Sequence, residues 1–308
     1  MQKWRSWPGL GENVRSNRQA GLAPPAMLLR SRLLGAQRAA GMIRRAVLAS
    51  RADALLVSYP KSGRTWLRFI LANYFALMSG TATRIDLHTM FSFVPNFDFD
   101  PARGIPALNS EVGRGRVPLI LATHTHHGNT VCWRRPIIFM VRDPRDLMVS
   151  AYFHATRQKR RFRGSISDFL QHPELGMPAF VRYLDGWAKS LARHPHLVVS
   201  YERLASKTEQ SVAEVLGFVR CAGETDLLRR AIHLSRFSRM AEIERRQGIP
   251  GHEYDRGDPE ALRMRKGQVG GYGEYLSQEE VDLIERWCNS ALSAPARHLL
   301  DATGWRTR

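Results

Sequence analysis

The residues from Leu55 to Trp66, LLVSYPKSGRTW, constrain the fold of this chain more than any other stretch. Leu55, Leu56, Val57, Ser58 and Tyr59 make a brief, nearly uncharged apolar run that stops at Pro60, which predicts a short buried strand. Ser62 and Gly63 supply a turn, and Trp66, Leu67, Phe69, Ile70, Ala72 and Tyr74 continue at helical spacing with no Gly or Pro before Gly80. A strand, a glycine turn and a helix start together make an anion site, because unpaired backbone N–H groups and the helix dipole point at the same spot. Lys61 adds a cation beside them. In the nucleotide-kinase loop GxxxxGK[ST] the Lys follows the second Gly, whereas here Lys61 precedes Ser62 and Gly63. Taken alone, the segment is either a phosphate loop of another kind or a βα turn with a solvated Lys.

Further strands follow at intervals, each delivering polar residues. Val117 to Thr123 predicts a buried strand ending at His124, Thr125, His126 and His127, and open α/β sheets place their chemistry at such carboxyl ends. Metal ligation fits poorly, since His124 and His126 in an extended chain face opposite sides and no carboxylate or Cys is near; a general base fits better. Pro136 to Val141 predicts a third strand, after which Asp143 as N-cap and Pro144 as first residue start a helix just behind Arg142. Phe180 to Arg193 predicts an amphipathic helix, His196 to Ser200 a fourth strand, and Ser206 to Val219 and Glu224 to Leu234 two more helices. Ser277 with Glu280 is a capping box that starts a last helix through Cys288. Between Gly80 and Arg116 runs a long connection in which Phe91, Phe93, Phe97 and Phe99 alternate, as a strand on the core or as an apolar wall of an acceptor pocket. Gln247 to Tyr275 is a Gly-rich loop with Arg263, Arg265 and Lys266 together, and Arg157 to Arg163 is a basic run of the kind that ends solvated helices. Alternating strands and helices define an α/β class built on a parallel sheet flanked by helices.

Charge implies anionic partners without saying which. The chain of 308 residues has 46 Lys and Arg against 28 Asp and Glu, a net charge of +18, which fits nucleic acid, an acidic membrane surface or a phosphorylated nucleotide equally. Half of that excess lies in residues 1–52, where ten basic residues face Glu12 alone. Residues 1–26 have no periodicity and are expected to be poorly ordered. From about 27 to 49, Leu29, Leu33, Ala36, Ala40, Ile43 and Val47 recur on one face of a basic amphipathic helix. Docking on the core, peripheral membrane contact and organellar targeting all fit that helix. Residues 53–308 are expected to hold the catalytic domain. Cys132, Cys221 and Cys288 form neither a disulfide framework nor a zinc site, which suggests a reducing, cytoplasmic setting, and no apolar run is long enough to span a bilayer.

YPKSGRTW resembles the 5′-phosphosulfate loop of the sulfotransferases that use 3′-phosphoadenosine 5′-phosphosulfate (PAPS), whose usual wording is YPKSGTTW, with Arg64 in place of Thr. Three further segments are similar to that family's motifs, in the family's order. Ala122, Thr123 and His124 match its KTH element with Ala for Lys; RDPRDLMVSAYFH matches its 3′-phosphate motif; and RKGQVGGYG matches RKGxxGDW, with Gly271 and Tyr272 for Asp and Trp. The resemblance implies a P-loop-like, three-layer α/β/α fold and PAPS as co-substrate, with no metal. It implies that Lys61, Ser62, Gly63, Arg64, Thr65 and Trp66 receive the 5′ end and that Arg142, Ser150, Arg265, Lys266 and Gly267 hold the 3′-phosphate. It also implies that Tyr201, from a YE element, and Ser235 and Phe237, from a TSFxxM element in which Arg236 is inserted, reach the nucleotide. His124 corresponds to the base and Lys61 to the support of the leaving phosphate oxygen. The acceptor, whether small molecule, carbohydrate or lipid, and the oligomeric state are not written in these motifs. A P-loop kinase lacks its Lys order and metal carboxylates here, and a module specific for nucleic acid lacks a reader element of interleaved basic and aromatic residues.

Overall fold

In the computed structural model, which describes residues 47, 50–81, 83–110, 112–113, 117–126, 135–221 and 223–305, the first apolar run is strand β1 (Ala54–Ser58), inside a four-stranded sheet. Strand β2 (Ile120–Thr123) pairs on one side, β3 (Ile137–Val141) on the other, and β4 (His196–Ser200) lies beyond β3, giving the order β2-β1-β3-β4 with every pair parallel. Leu55 stands opposite Leu121 and Ile137, and Ile137 opposite His196. Every residue of β1, β2 and β3 is buried. Such strands need cover on both faces, which is why they read as apolar runs without polar alternation. Because the strands run one way, Ser58, Thr123, Val141 and Ser200 all end at the same edge, where the chain turns into the next element.

Helix α1 (Arg64–Met78) follows β1 and buries Leu67 and the run from Phe69 to Ala76 before stopping at Ser79 and Gly80. Helix α2 (Pro144–Phe153) starts as the sequence predicts: the Asp143 side chain accepts from the Arg145 N–H, Pro144 comes first, and the helix widens into a π turn, His154–Gln158. Helix α3 (Ile166–Gln171) carries a Ser165–Asp168 capping box, and α4 (Met177–Leu191) sinks Phe180, Tyr183 and Trp187 into the core. The helix predicted from Ser206 to Val219 is α6 (Thr208–Phe218); before it stands α5 (Tyr201–Ser206), a short helix capped by Ser200 that the sequence reading does not contain, and Lys207 separates the two by leaving helical geometry at φ −135° and ψ 54°. Helix α7 (Thr225–Leu234) packs on α1, and α8 (Phe237–Gln247) follows. The Ser277–Glu280 capping box opens α9 (Gln278–Arg286), which runs into a second π turn, Trp287–Ala291, and then α10 (Ala294–Asp301), a helix that the sequence reading does not contain.

The alternating phenylalanines do not make a strand. Phe91 lies in a short 3-10 turn, Thr89–Ser92, and Phe93 is buried after it. This stretch meets the sheet at an isolated bridge, where the Phe97 N–H donates to the Ala122 carbonyl at 2.8 Å and the Ala122 N–H donates to the Pro95 carbonyl at 2.9 Å. All these elements belong to the unit Arg45–Arg308. The helix predicted over about 27–49 lies outside the described residues except for Val47, which is helical, and so does nearly all of the extension 1–52. Among the described residues no helix is long and apolar enough to cross a membrane.

Candidate active site

The turn between β1 and α1 is tight and conformationally demanding. Lys61 adopts φ 75°, uncommon for a residue with a Cβ, and Gly63 φ 92°. A Cβ on Gly63 would lie 2.5 Å from Tyr201 Cδ2, so only glycine lets the Tyr201 ring close against this turn. Ser62 is fully buried; its hydroxyl donates to the Tyr59 carbonyl at 2.9 Å and holds the turn from inside. Helix α1 has no capping side chain and no acid in its first turn, and the leading N–H groups of Arg64 and Thr65 have no partner within their own helix. Trp66 is anchored by its Nε1–H, which donates to the Ser235 carbonyl at 3.0 Å. Burial brings the Lys61 ammonium down to about 7, helped by the charges of Arg263, Arg142 and Arg265 and opposed by Glu244. This turn is thus rich in donors and positive charge.

Arg142, at the end of β3, ties a second locus to the first. Its Nη1 donates to the Lys61 carbonyl at 3.4 Å, its Nη2 to the Gln268 carbonyl at 3.5 Å, and its guanidinium lies 4.3 Å over the Tyr201 ring. Burial raises the Tyr201 phenol above its ordinary range, against the opposing charge of Arg142. The loop that carries Gln268 is pinned by Asp146, whose carboxylate accepts from the Gly270 N–H at 2.8 Å and the Tyr272 N–H at 2.9 Å and stands 3.7 Å from Arg142. Tyr272, where the similar motif has Trp, lies under the Arg145 guanidinium at 4.5 Å, so the altered loop has its own packing.

Arg265 sits between the Phe153 and Tyr275 rings, 4.7 Å from each, and donates to Glu260 at 3.1 Å. Lys266 pairs with Glu274 over the Tyr275 ring. Ser150 is half-buried on α2, one turn before Phe153 and therefore on the same side of the helix. Gly267, at φ 68°, faces Phe237, whose Cδ2 would lie 2.5 Å from an added Cβ; Phe237 is otherwise exposed. Ser235 is fully buried, its hydroxyl donating to the Ala231 carbonyl at 2.8 Å and accepting from Asn73 at 3.1 Å. Its place is behind Trp66, as a support of the α1 start.

His124 leaves β2 beside these loops. Its Nδ1–H donates to the Ser58 carbonyl at 2.7 Å, and because a carbonyl only accepts, the Nε2 lone pair is free to take a proton. Burial, then the charge of Arg64, holds this imidazole well below its ordinary pKa, so it is a neutral base. Beyond it, Trp187 Nε1 donates to the Thr125 carbonyl at 3.0 Å, and the His126 ring packs edge-on to Tyr183 at 5.3 Å. Ala122, where the similar motif has Lys, is buried in the sheet; across the bridge from it, Asn96 accepts from Arg68 at 2.8 Å.

Several residues here are not singled out by sequence reasoning. Arg68, Arg103 and His252 lie in segments with no motif, Arg263 is visible only as part of a basic cluster, and Asp146 resembles an ordinary helix acid. Glu244, fully buried on α8, organises the loop after it by accepting from the Arg263 and Met264 N–H groups at 2.7 and 2.8 Å and from the Tyr254 hydroxyl at 2.6 Å. Among the described residues no cluster of His, Cys, Asp and Glu is arranged to hold a metal.

A four-stranded parallel sheet flanked by helices, with donor-rich turns on one edge, defines a P-loop-like α/β protein. The family described as "Sulfotransferase domain" matches residues 51–295, and the chain belongs to that family. It is 24% identical to cytosolic sulfotransferase 12 of Arabidopsis thaliana over 263 residues, 77% of this chain and 76% of that one. It is 25% identical to flavonol 3-sulfotransferase of Flaveria bidentis over 266 residues, 79% and 82% of the two chains. In fold it is similar to mouse sulfotransferase SULT7A1 complexed with PAP, with a TM-score of 0.55, 19% identity and coverage of 82% and 90%. Retinol dehydratase in a complex with retinol and PAP gives a TM-score of 0.59, 17% identity and coverage of 82% of each chain.

Proposed function

We propose that this sulfotransferase moves the sulfuryl group of PAPS to the hydroxyl of a small organic acceptor. The observation that carries this reading is the junction at Arg142: one guanidinium touches the carbonyl of Lys61 in the first turn and the carbonyl of Gln268 in the loop that follows Arg265, Lys266 and Gly267. A nucleotide with phosphates at both its 5′ and 3′ ends matches two cationic loci joined in this way, and two solved proteins of similar fold carry PAP.

In the reaction, the acceptor oxygen attacks sulfur while its proton passes to His124 Nε2. The bond between sulfur and the bridging oxygen of the 5′-phosphate breaks, and its electron pair stays on that oxygen, leaving 3′,5′-bisphosphoadenosine. Lys61, the α1 N–H groups and the helix dipole stabilise the charge that collects there. Charge-assisted hydrogen bonds to the 3′-phosphate come from Arg142, Arg265 and Lys266, with Ser150 and the Gly267 backbone completing that side. Tyr201 and Phe237 flank the nucleotide with aromatic faces.

The test is a titration of two ligands against two variants at fixed salt. Arg142→Ala is expected to weaken 3′,5′-bisphosphoadenosine about 10 to 100-fold and to leave 5′-AMP nearly unchanged, whereas Lys61→Ala weakens both. Equal losses of both ligands with Arg142→Ala overturn the assignment of the two loci.

A further inference from the structure

Buried positive charge accumulates on the side of the site where His124 stands. Arg103, in the long connection before β2, and Arg263, after α8, converge on His252: Arg263 Nη2 donates to His252 Nε2 at 2.7 Å, and Arg103 Nη1 donates to the same nitrogen at 3.3 Å. A guanidinium only donates, so Nε2 accepts and the imidazole proton sits on Nδ1. That Nδ1–H is buried without a partner among the described residues, as are the Nε–H groups of Arg68, Arg103 and Arg263 and the Nη1 of Arg64. Every one of these orphans is a donor.

The neighbouring carboxylates make no hydrogen bond to these donors; Asp98 acts on Arg64 and Arg68 by charge alone and accepts from the Asp100 N–H at 3.1 Å. Asp100 is engaged by Arg103 Nη2 at 2.7 Å, and Glu244 accepts from two backbone N–H groups and the Tyr254 hydroxyl. Buried donors that carry net positive charge are satisfied best by an anion.

The cluster is distinct from the 3′-phosphate locus. The charges that act most strongly on His124 are those of Arg64, Arg263 and Arg68, whereas Arg265 and Lys266 are paired with Glu260 and Glu274. On its other flank, the Tyr183 hydroxyl is buried near the Trp187 indole and lies within reach of the Arg64 charge. Its ring packs edge-on against Tyr59 at 5.2 Å, and the Tyr59 ring packs likewise against Phe180 at 5.4 Å. An aromatic wall therefore stands beside a cationic floor.

We propose that Arg64, Arg103 and Arg263, with the Nδ1–H of His252, form an anion subsite that holds a carboxylate or similar group of the acceptor while the acceptor's hydroxyl is presented to His124. The inference rests on the sulfotransferase reading and narrows its substrate class to organic hydroxyl compounds that bear a second, anionic group. The chemical step is the transfer described above, and the anionic group takes no part in it except to position the hydroxyl.

The probes are three phenolic acids of increasing arm length, 4-hydroxybenzoate, 4-hydroxyphenylacetate and 3-(4-hydroxyphenyl)propionate, each paired with its neutral primary amide. Each is titrated calorimetrically onto the full chain saturated with 3′,5′-bisphosphoadenosine. At least one acid is expected to bind about 10-fold or more tightly than its amide, and that preference is expected to fall to within about 3-fold in both Arg263→Gln and Arg103→Gln. Arg103→Gln is expected to bind 3′,5′-bisphosphoadenosine as the unmodified protein does and Arg263→Gln, which removes a charge that acts on Lys61, to stay within about 3-fold, which also shows that both are folded. Equal affinity for acid and amide in all pairs, no binding of any probe, or a preference that survives both substitutions overturns the subsite. A loss of nucleotide affinity in the two variants with the acid preference intact assigns the cluster to the donor instead. Failure of the unmodified protein to bind 3′,5′-bisphosphoadenosine at all is the separate result that removes the sulfotransferase mechanism itself.

Discussion

Lys61 and His124 are both held in their neutral direction, and this sets the expected dependence on pH. With a pKa of about 7, Lys61 is largely uncharged above neutrality in the free protein. A bound 5′-phosphate favours the ammonium and raises its pKa, so binding above pH 7 takes up a proton and weakens as pH rises. Calorimetric titration of 3′,5′-bisphosphoadenosine at pH 8, in two buffers of different ionisation heat, is expected to show proton uptake that Lys61→Ala abolishes. Because kcat/KM reports the free enzyme, its profile is expected to fall on the alkaline side from about pH 7. No acid limb is expected at the ordinary His value of 6.5, since burial and Arg64 keep the His124 imidazole neutral well below that pH. His124→Ala is expected to lower kcat by roughly 10² to 10⁴ while nucleotide affinity stays within about 3-fold; a comparable loss from His126→Ala with His124→Ala mild moves the role to His126.

At the scale of elements, the site is built by two docked pieces of backbone. The β1–α1 turn gets its shape from Gly63 and the buried Ser62 hydroxyl, and the loop after Arg265 gets its place from Asp146, which receives two of its N–H groups. Asp146→Asn keeps the size but turns one acceptor into a donor facing an N–H, and it removes the negative partner of Arg142. The expected outcome is faster hydrogen exchange at Gly270 and Tyr272 and about 10-fold weaker binding of 3′,5′-bisphosphoadenosine, with 5′-AMP nearly unaffected. Unchanged exchange at these two amides refutes the anchoring role. The sequence announces α2 through Asp143 and Pro144 and α9 through its capping box, because caps are local chemistry. It does not announce α5, a six-residue helix that is too short to show a helical period and follows β4 directly.

For the whole molecule, all four strands and every site residue named above lie from Ala54 onward. Deletion of residues 1–26 is therefore expected to leave nucleotide affinity unchanged and the melting temperature within about 2 °C, measured by titration and thermal unfolding. A large drop in either shows that this segment supports the domain. The sequence by itself determined the α/β class, the four strands and the tight glycine turn between β1 and α1, because each is a run of neighbours whose period, turn residues or caps act over a few positions. The expectation that Arg142, Arg265 and Lys266 act on one phosphate came only through resemblance to a family. Tertiary structure alone decided that Asp146 receives the loop, that Ser235 supports Trp66 from the core, and that Arg103 and Arg263 meet at His252. These pairings join residues from about 126 to 169 positions apart, for Asp146 with Tyr272, Arg103 with His252 and Trp66 with Ser235. Their partners are fixed by how helices and loops pack on a shared sheet edge, and no local period or cap encodes that contact.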